Sequence, residues 1–542
     1  MCVLLGICVR FEAKGNTKAE SYPVSVCISS DNVEYLVRGW VRDTDCIVFL
    51  PSFAESDKMT WNISGTDRIF LDGKELTNGM ACSGLNLNDD HILLIGENHP
   101  ITIKFVQSAN IETLFLNTSS GDMHNVHADK VQKERAEIAL ISENGEQRYH
   151  TRSTDWIRGH GNSTWNLEKK SYNLYLGMES DLLGTDEPQK KYVLLSNAID
   201  DTCLRNYLVY RFAKNVGGYE SFAPDCAFVD LYLNGNYTGL YLLCEKPAVE
   251  GYEELFEITS YSAPEDGQVF RLDSGRYVEI HSPDPCTDIQ KTAIQKRVQN
   301  FVTELMEDDE LPDELDLDSW ARKYLVEEVF MNSDAGFYSQ YFYRDPFSES
   351  FYAGPCWDYD GAIGMYDYFP NCFLAQREYM TATMYSPFYS KLWQNQVFRD
   401  EVITLYRQEY LPVLNDLIKH AIPETENAIH AASKMNLMRW YDNTVDSYTS
   451  VSDMKSFLEK RIAFLNKAWI DGVNYHTITL KRSPSAVYLY YCIEDGLNGT
   501  ELPNPADIGA EGEMWYREDT GEVYDEQVPV TEDFSLTAYN PI

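Results

Sequence analysis

The sequence predicts an α+β protein in which a strand-rich first half leads into a helical second half, with strand-rich segments at both ends of the chain. Residues 21–107 and 475–542 are short alternating apolar runs broken by turn residues, whereas 288–475 places apolar residues at helical spacing. A third observation marks where chemistry is expected: Asp334, Asp358 and Asp360 fall on short turns between strand formers inside the second half.

A chain of 542 residues is long enough for three or four domains. Its 45 basic and 85 acidic residues leave a net charge of −40. Such a field repels nucleic acid and anionic membrane, so a phosphate-bearing ligand needs a local basic pocket or a metal ion. The acidity otherwise reads as a solvated surface. The twelve cysteines show neither a CxxC pair nor zinc-ligand spacing, and the ten histidines do not cluster near them. They read as mostly buried thiols with room for an occasional disulfide. The apolar run MCVLLGICV at the start is too short to span a bilayer. A shortened signal or anchor helix and a buried first strand explain it equally well.

In chain order, the runs SYPVSVCIS, EYLVRGWV, DCIVFLPS, MTWNIS, RIFLDGKEL, HILLIGE and ITIKFVQ read as strands of an immunoglobulin-sized β-sandwich over 1–108, a spacer or binding module. Residues 109–246 mix strands with a helix at 202–216, whose Leu204, Leu208 and Phe212 share a stripe and whose stop is Gly217-Gly218. A hairpin follows, with Asn234-Gly235 between aromatic and β-branched runs. Residues 247–474 carry helices expected at 288–306, 317–331, 387–420 and 451–470. A β-rich lobe at 109–246 followed by a helical lobe that holds the acids is the layout of a two-lobed, protein-kinase-like core. A small β domain over 475–542 ends the chain.

The acids sit in VFMNSDAGFYSQYFYRDP and FYAGPCWDYDGAIG. Magnesium is a hard ion that takes one or two protein carboxylates and leaves its other positions to phosphate and water. Phosphoryl transfer also needs an acid to orient the incoming hydroxyl. Upstream, WIRGHGNSTWNLEKKSYNLYL brings Arg158, Gly159, Gly161, Asn162, Ser163 and Thr164 into a glycine-containing turn, and Lys169 and Lys170 open the next strand. A turn followed by a lysine can cradle and neutralise phosphates. Each residue also has a structural reading. Asp334 would cap a turn, Trp357 would be core, Lys170 would be a solvated strand-edge lysine, and Arg205 and Glu245 would form a buried brace.

The blocks R-G-x-G-N-S-T-W, K-K-x-Y, Y-V-L-L-S-N with L-R-N, L-Y-L-N-G-x-Y-x-G-L-Y-L-L-x-E-K and G-P-x-W-D-Y-D, in that order, resemble the spore-coat CotH kinase family. The resemblance covers roughly residues 110–475. It implies a lobed kinase architecture and transfer of phosphate from ATP to Ser/Thr of a protein substrate with Mg²⁺ or Mn²⁺. By motif, Asp334 matches the catalytic acid and Lys170 meets phosphates together with Arg158, Gly159, Gly161, Asn162, Ser163 and Arg205. Trp357 stacks on adenine, and Asp358 binds metal with Asp360 as a second ligand. Where family members carry an asparagine after the catalytic acid, this chain offers Ser339 and Gln340, which makes Gln340 the candidate third metal ligand. The tail blocks G-T-x-L-P-x-P, W-Y, D-x-G-x-x-Y-D and P-V-T-x-D-x-x-L-x-A are similar to the Listeria–Bacteroides β-grasp repeat of secreted and surface proteins, although Ser483-Pro484-Ser485 stands where a glycine turn is expected. Together these imply a bacterial extracellular or cell-surface protein, with surface or cellulosome association and no partner nucleic acid. Two other readings stay open. One is a non-catalytic surface scaffold that keeps the kinase fold; the other is a glycan-processing enzyme with a carboxylate pair. Tight Mg·ATP binding separates the first reading from both.

Overall fold

A computed structural model describes residues 24–539 apart from 43–44, 65–67, 97–99, 219–221, 250–252, 260–267, 274, 333, 337, 366–385, 442–449, 484–485, 500–501, 509 and 511. The N-terminal apolar run and Pro484-Ser485 therefore lie outside the described residues.

The alternating runs of the first segment become two sheets. One orders Val33–Arg38, Val24–Ser30 and Met59–Ile63 side by side. The other has six strands, with Asp45–Leu50 parallel to Ile101–Gln107 at its middle. Val26, Val37, Phe49, Trp61 and Leu93 are buried between them. This core is not closed by the first segment alone, because Phe115, Ala139, Ile141, Tyr232 and Tyr237 from the following strands pack into it.

Those strands form a closed seven-stranded barrel. Its order is Glu112–Thr118, Glu134–Ile141, Gln147–His160, Ser171–Ser180, Gln189–Leu195, Asn236–Glu245 and Cys226–Leu233, and the last pairs in parallel with the first. Closure leaves no free edge, and a barrel of this size is filled by its own inward side chains. Leu114, Leu116, Ile138, Leu140, Leu174, Leu194, Leu231 and Leu243 fill the interior at the two-residue period of a strand. Outward residues are also apolar because both flanks are covered. Phe115 and Tyr232 meet the first segment, while Val193, Leu240, Leu242 and Cys244 meet the helical body. The sequence predicts a β-rich lobe here, but not its closure into a barrel.

A five-stranded sheet follows, ordered Val269–Arg271, Tyr277–Ser282, Glu254–Thr259, Gln340–Arg344 and Phe351–Ala353. It packs on the helical body. There Leu317–Phe330 is buried all round from Ser319 to Phe330 and so serves as the central helix. A helix buried on every face has to pair its charges. Lys323 pairs with Glu327 along the helix, Glu328 pairs with Arg461, and Arg322 reaches Asp318 and Glu409. The helix ends at Met331, which adopts the left-handed conformation (φ 50°). The turn bearing Asp334 begins there.

The C-terminal segment is a four-stranded sheet in which Tyr475–Ser483 pairs antiparallel with Ala486–Glu494 and parallel with Phe534–Thr537. Ile478, Leu480, Trp515 and Leu536 give it a small core of its own. Among the described residues no helix is long and apolar enough to cross a membrane.

Candidate functional site

One helix positions the aromatic–acid loop. Its start is set by Asp200, whose carboxylate accepts from the backbone N and hydroxyl of Thr202 (3.1 and 2.6 Å) and from the backbone N of Arg205 (2.9 Å). The helix therefore runs Arg205–Val216, starting three residues after the predicted 202. The Arg205 guanidinium pairs with Asp200, and both side chains are fully buried. From there Arg205 donates to the carbonyls of Ala362 (2.8 Å) and Ile363 (3.4 Å). Asn206 accepts from the Tyr359 N–H at 2.7 Å, and the Tyr210 hydroxyl accepts from the Asp358 N–H at 3.2 Å. The Tyr210 ring stacks on Trp357, with centroids 5.9 Å apart and planes 9° apart. This brace helix thus grips the loop 357–363 from one side.

The central helix holds it from below. The Tyr359 hydroxyl donates to Glu327 at 2.8 Å and accepts from Lys323 at 2.7 Å, all in a buried setting. With Tyr359 sunk between them, Asp358 and Asp360 stay half-buried at the surface of the loop. Asp358 adopts φ 66°, a left-handed conformation that Asp tolerates better than most residues. Its carboxylate accepts from the Ser339 hydroxyl at 3.0 Å. Burial pushes the Asp358 carboxyl up, and the charge of Glu257 adds to that, against the opposing Ser339 hydrogen bond. Asp360 is pushed well up by burial and then by the charges of Asp358, Asp334 and Asp200, with Arg205 offsetting only part. Carboxylates crowded in this way around one buried arginine fit a divalent cation, whose charge would relieve the repulsion.

A second set of groups flanks the acids. Glu257 and Glu279 stand directly opposite each other on neighbouring strands, and with His281 they bring their ligand atoms within 4.8 Å of one another. Glu257 accepts from Tyr341 at 2.7 Å and lies 2.7 Å from His281 Nε2. Burial works against ionisation of Glu257, but the His281 contact, the Tyr341 hydrogen bond and the charge of Lys246 outweigh it and hold the carboxyl below its usual value. Such a set could also hold a cation.

Cations gather on the barrel side. Burial and the charges of Lys191 and Arg158 push the Lys246 ammonium down, and burial with Arg158 does the same to Lys130 and Lys133. Burial, then Lys246, pushes His160 down to about 3, so its imidazole is neutral at pH 7. The His160 ring meets Trp357 edge-on at 6.2 Å, which joins this basic side to the acidic loop.

The structure thus brings Asp334, Asp358, Asp360 and Trp357 into one neighbourhood, with Arg158 on its basic side. Trp357 is 6% exposed, with one face on Tyr210, so most of the ring is core. Arg205 holds the loop through backbone carbonyls and Asp200. Lys170 donates to the carbonyls of Trp165 (2.6 Å) and Leu167 (3.0 Å) and lies over the Trp165 ring, serving its own turn. Gln340 is buried, and its amide oxygen accepts from the Tyr389 hydroxyl at 3.1 Å. Asn162 and the Gly161 carbonyl accept from Lys130. A Cβ on Gly159 would lie 2.6 Å from the Trp165 ring, so that glycine makes room for a side chain of its own loop. Gly161 takes φ 91°. The side chain of Ser163 lies outside the described residues. Glu245 accepts from the Asp225 N–H at 3.1 Å.

Sequence reasoning passed over Lys246, His160, Glu257, Glu279, His281, Asn206 and Tyr210. The signal for Lys246 was present in the E-K that closes the hairpin block, and Tyr210 lies one turn beyond Asn206 on the brace helix.

No curated protein matches the chain. The family model described as CotH kinase protein matches residues 157–465, more than half of the sequence. That span runs from the basic turn through the brace helix and the acidic loop into the last long helix. By this match over most of its structured core, the chain belongs to the CotH kinase protein family.

Proposed function

We propose that the protein transfers the γ-phosphoryl group of ATP to a Ser or Thr hydroxyl of a secreted or surface protein, with Mg²⁺ or Mn²⁺ as the metal. One observation carries this reading: in a chain of net charge −40, a cluster of cations and a cluster of crowded carboxylates meet across Trp357. Asp358 and Asp360 would hold the metal, which supplies positive charge to the phosphate oxygens when bound. Arg158 and Lys246, backed by Lys130, neutralise the remaining phosphate charge. Asp334, at the end of the central helix, orients the acceptor hydroxyl and takes its proton as that oxygen bonds phosphorus and ADP departs. The neutral His160 and Trp357 wall the nucleotide side. The two-lobed division and the flanking β modules belong to the same proposal, with the tail as a β-grasp repeat of an extracellular protein.

Incubation with labelled ATP and Mn²⁺ or Mg²⁺, with and without a basic test protein, checks it. Metal-dependent label on serine or threonine is the expected result, and absence of nucleotide binding by calorimetry would overturn it. The engagement of Lys170 and Gln340 in bonds within the chain favours a second reading, a surface scaffold that retains the fold. Absence of both nucleotide binding and transfer would support that reading.

A further inference from the structure

We propose that Cys226 and Cys244 form a reversible dithiol–disulfide pair that takes low-molecular-weight disulfides as its oxidant. The two residues face each other across the barrel hairpin, in register on antiparallel strands. At the neighbouring position the Glu245 N–H donates to the Asp225 carbonyl at 3.0 Å, so Asp225 and Glu245 are a hydrogen-bonded pair. Hydrogen-bonded and non-hydrogen-bonded pairs alternate, which makes Cys226 and Cys244 a non-hydrogen-bonded pair with Cα atoms about 4.5 Å apart and side chains on one face. A disulfide needs about 4.4–6.8 Å between Cα atoms, so the bond can close with little strand movement. The Cys244 thiol donates to the Leu242 carbonyl at 3.8 Å, and after burial the neighbouring Cys226 thiol pushes it further up. Cys226 is half-buried at the edge of the core of the helical body, whereas Cys244 is fully buried and reachable only through its partner.

The exchange balances as two steps. The Cys226 thiolate attacks one sulfur of the oxidant, forming a mixed disulfide and expelling a thiolate that takes up a proton. The Cys244 thiolate then attacks the Cys226 sulfur, closing the S–S bond and expelling the second thiolate. Two protein thiols are oxidised and one small disulfide is reduced to two thiols. The bond would tie the open end of the hairpin, next to Lys246 and beneath Tyr210, whose hydroxyl lies in the field of both sulfurs and accepts from the Asp358 N–H.

The full chain, reduced and then equilibrated with oxidised glutathione, is alkylated without unfolding and mapped by mass spectrometry. The expected result is loss of two hydrogens from the chain, loss of alkylation at Cys226, and a linked peptide pair containing Cys226 and Cys244 that dithiothreitol separates. In Cys244→Ser, Cys226 should remain alkylatable or carry glutathione, with no intrachain link to Cys226. The proposal is overturned if the unmodified chain keeps Cys226 fully alkylatable, holds glutathione there as the end product, or joins it to another cysteine. The mapping of the unmodified chain decides the matter without any variant.

Discussion

Asp358 and Asp334 stand in the same acidic neighbourhood, but their settings differ. Asp358 is locked by its left-handed backbone, the Ser339 hydroxyl and Tyr210. Asp334 sits half-buried on the turn after the central helix. We predict that Asp358→Ala abolishes metal-dependent ATP binding by calorimetry, because magnesium takes only one or two protein carboxylates and the variant removes one of the proposed pair. Asp334→Asn should leave ATP affinity within a few-fold yet lower turnover by roughly 10²–10⁴-fold, the usual worth of a positioned general base. Equal losses of binding and turnover would make Asp334 a metal ligand instead. A separate prediction concerns Asp230, fully buried in the barrel wall, with Tyr237 donating to one carboxylate oxygen at 3.2 Å and no hydrogen-bond donor on the other among the described residues. Burial pushes its carboxyl up to about 7 from the usual 3.8. The unfolded chain then ionises first, so stability falls as pH rises from about 4 to about 7 and levels off above that. The shift corresponds to a penalty on the order of 4 kcal/mol at pH 8, an upper bound. Asp230→Asn should flatten this slope in urea titrations run from pH 4 to 8. An unchanged slope would show that Asp230 does not carry it.

The brace helix Arg205–Val216 couples fold to site most directly, since Arg205, Asn206 and Tyr210 each bond a different part of the loop 357–363. Replacing Arg205 by Met would fill the space but strand Asp200 as a buried charge, and breaking such a pair costs about 3–5 kcal/mol. We predict a loss of that size in urea unfolding, together with weaker nucleotide binding as the Ala362 and Ile363 carbonyls come free. A stable variant with intact binding would remove Arg205 from the brace. At this scale much was legible in the sequence. Alternation found the strands of the first segment, and the stripe Leu204, Leu208 and Phe212 found the helix. Its first turn was misjudged because Asp200 takes the local backbone hydrogen bonds and Cys203 adopts φ 59°. The barrel was not legible, since its closure is a parallel pairing of Glu112–Thr118 with Cys226–Leu233, strands far apart in the chain with no turn between them to read. The acidic loop was legible because two acids flanking a tyrosine are unusual beside strand formers. The basic side was only half legible. A lysine at a strand start looks the same whether it faces a ligand or, like Lys170, caps its own turn, and Lys246 acquires its neighbours Lys191, Arg158, Glu279 and Glu257 only through tertiary packing.

In the whole molecule, the first segment and the barrel are one hydrophobic unit, although the alternating pattern of the first segment reads as a self-sufficient sandwich. Phe115 stacks on Tyr35 at 4.6 Å and on Tyr232 at 4.9 Å, and the Tyr232 hydroxyl donates to the Phe49 carbonyl at 3.0 Å. Arg38 donates through its backbone to Gly235 and through its side chain to Asn234, at the hairpin turn. The tail is joined differently. Its own core is small but closed, and it meets the helical body through the Tyr475–Phe464 contact, the partly buried Tyr490, Cys492 and the ion pair Lys467–Glu494. Cutting at the two polar boundaries should therefore have unequal effects. Removal of residues 1–108 exposes Phe115, Tyr232 and Tyr237 together, and each large apolar side chain returned to water forfeits roughly 1.5–3 kcal/mol. The barrel face left bare would be a contiguous aromatic patch, the kind of surface that drives association. We predict that a chain of residues 109–542 melts lower than the full chain and self-associates in sedimentation, whereas a chain of residues 1–474 keeps the full melting transition of the barrel and helical body to within a few degrees and binds nucleotide equally. Equal stability of both truncated chains would show that the aromatic contacts across residue 108 contribute little, and that the first segment folds as a separate unit on the barrel.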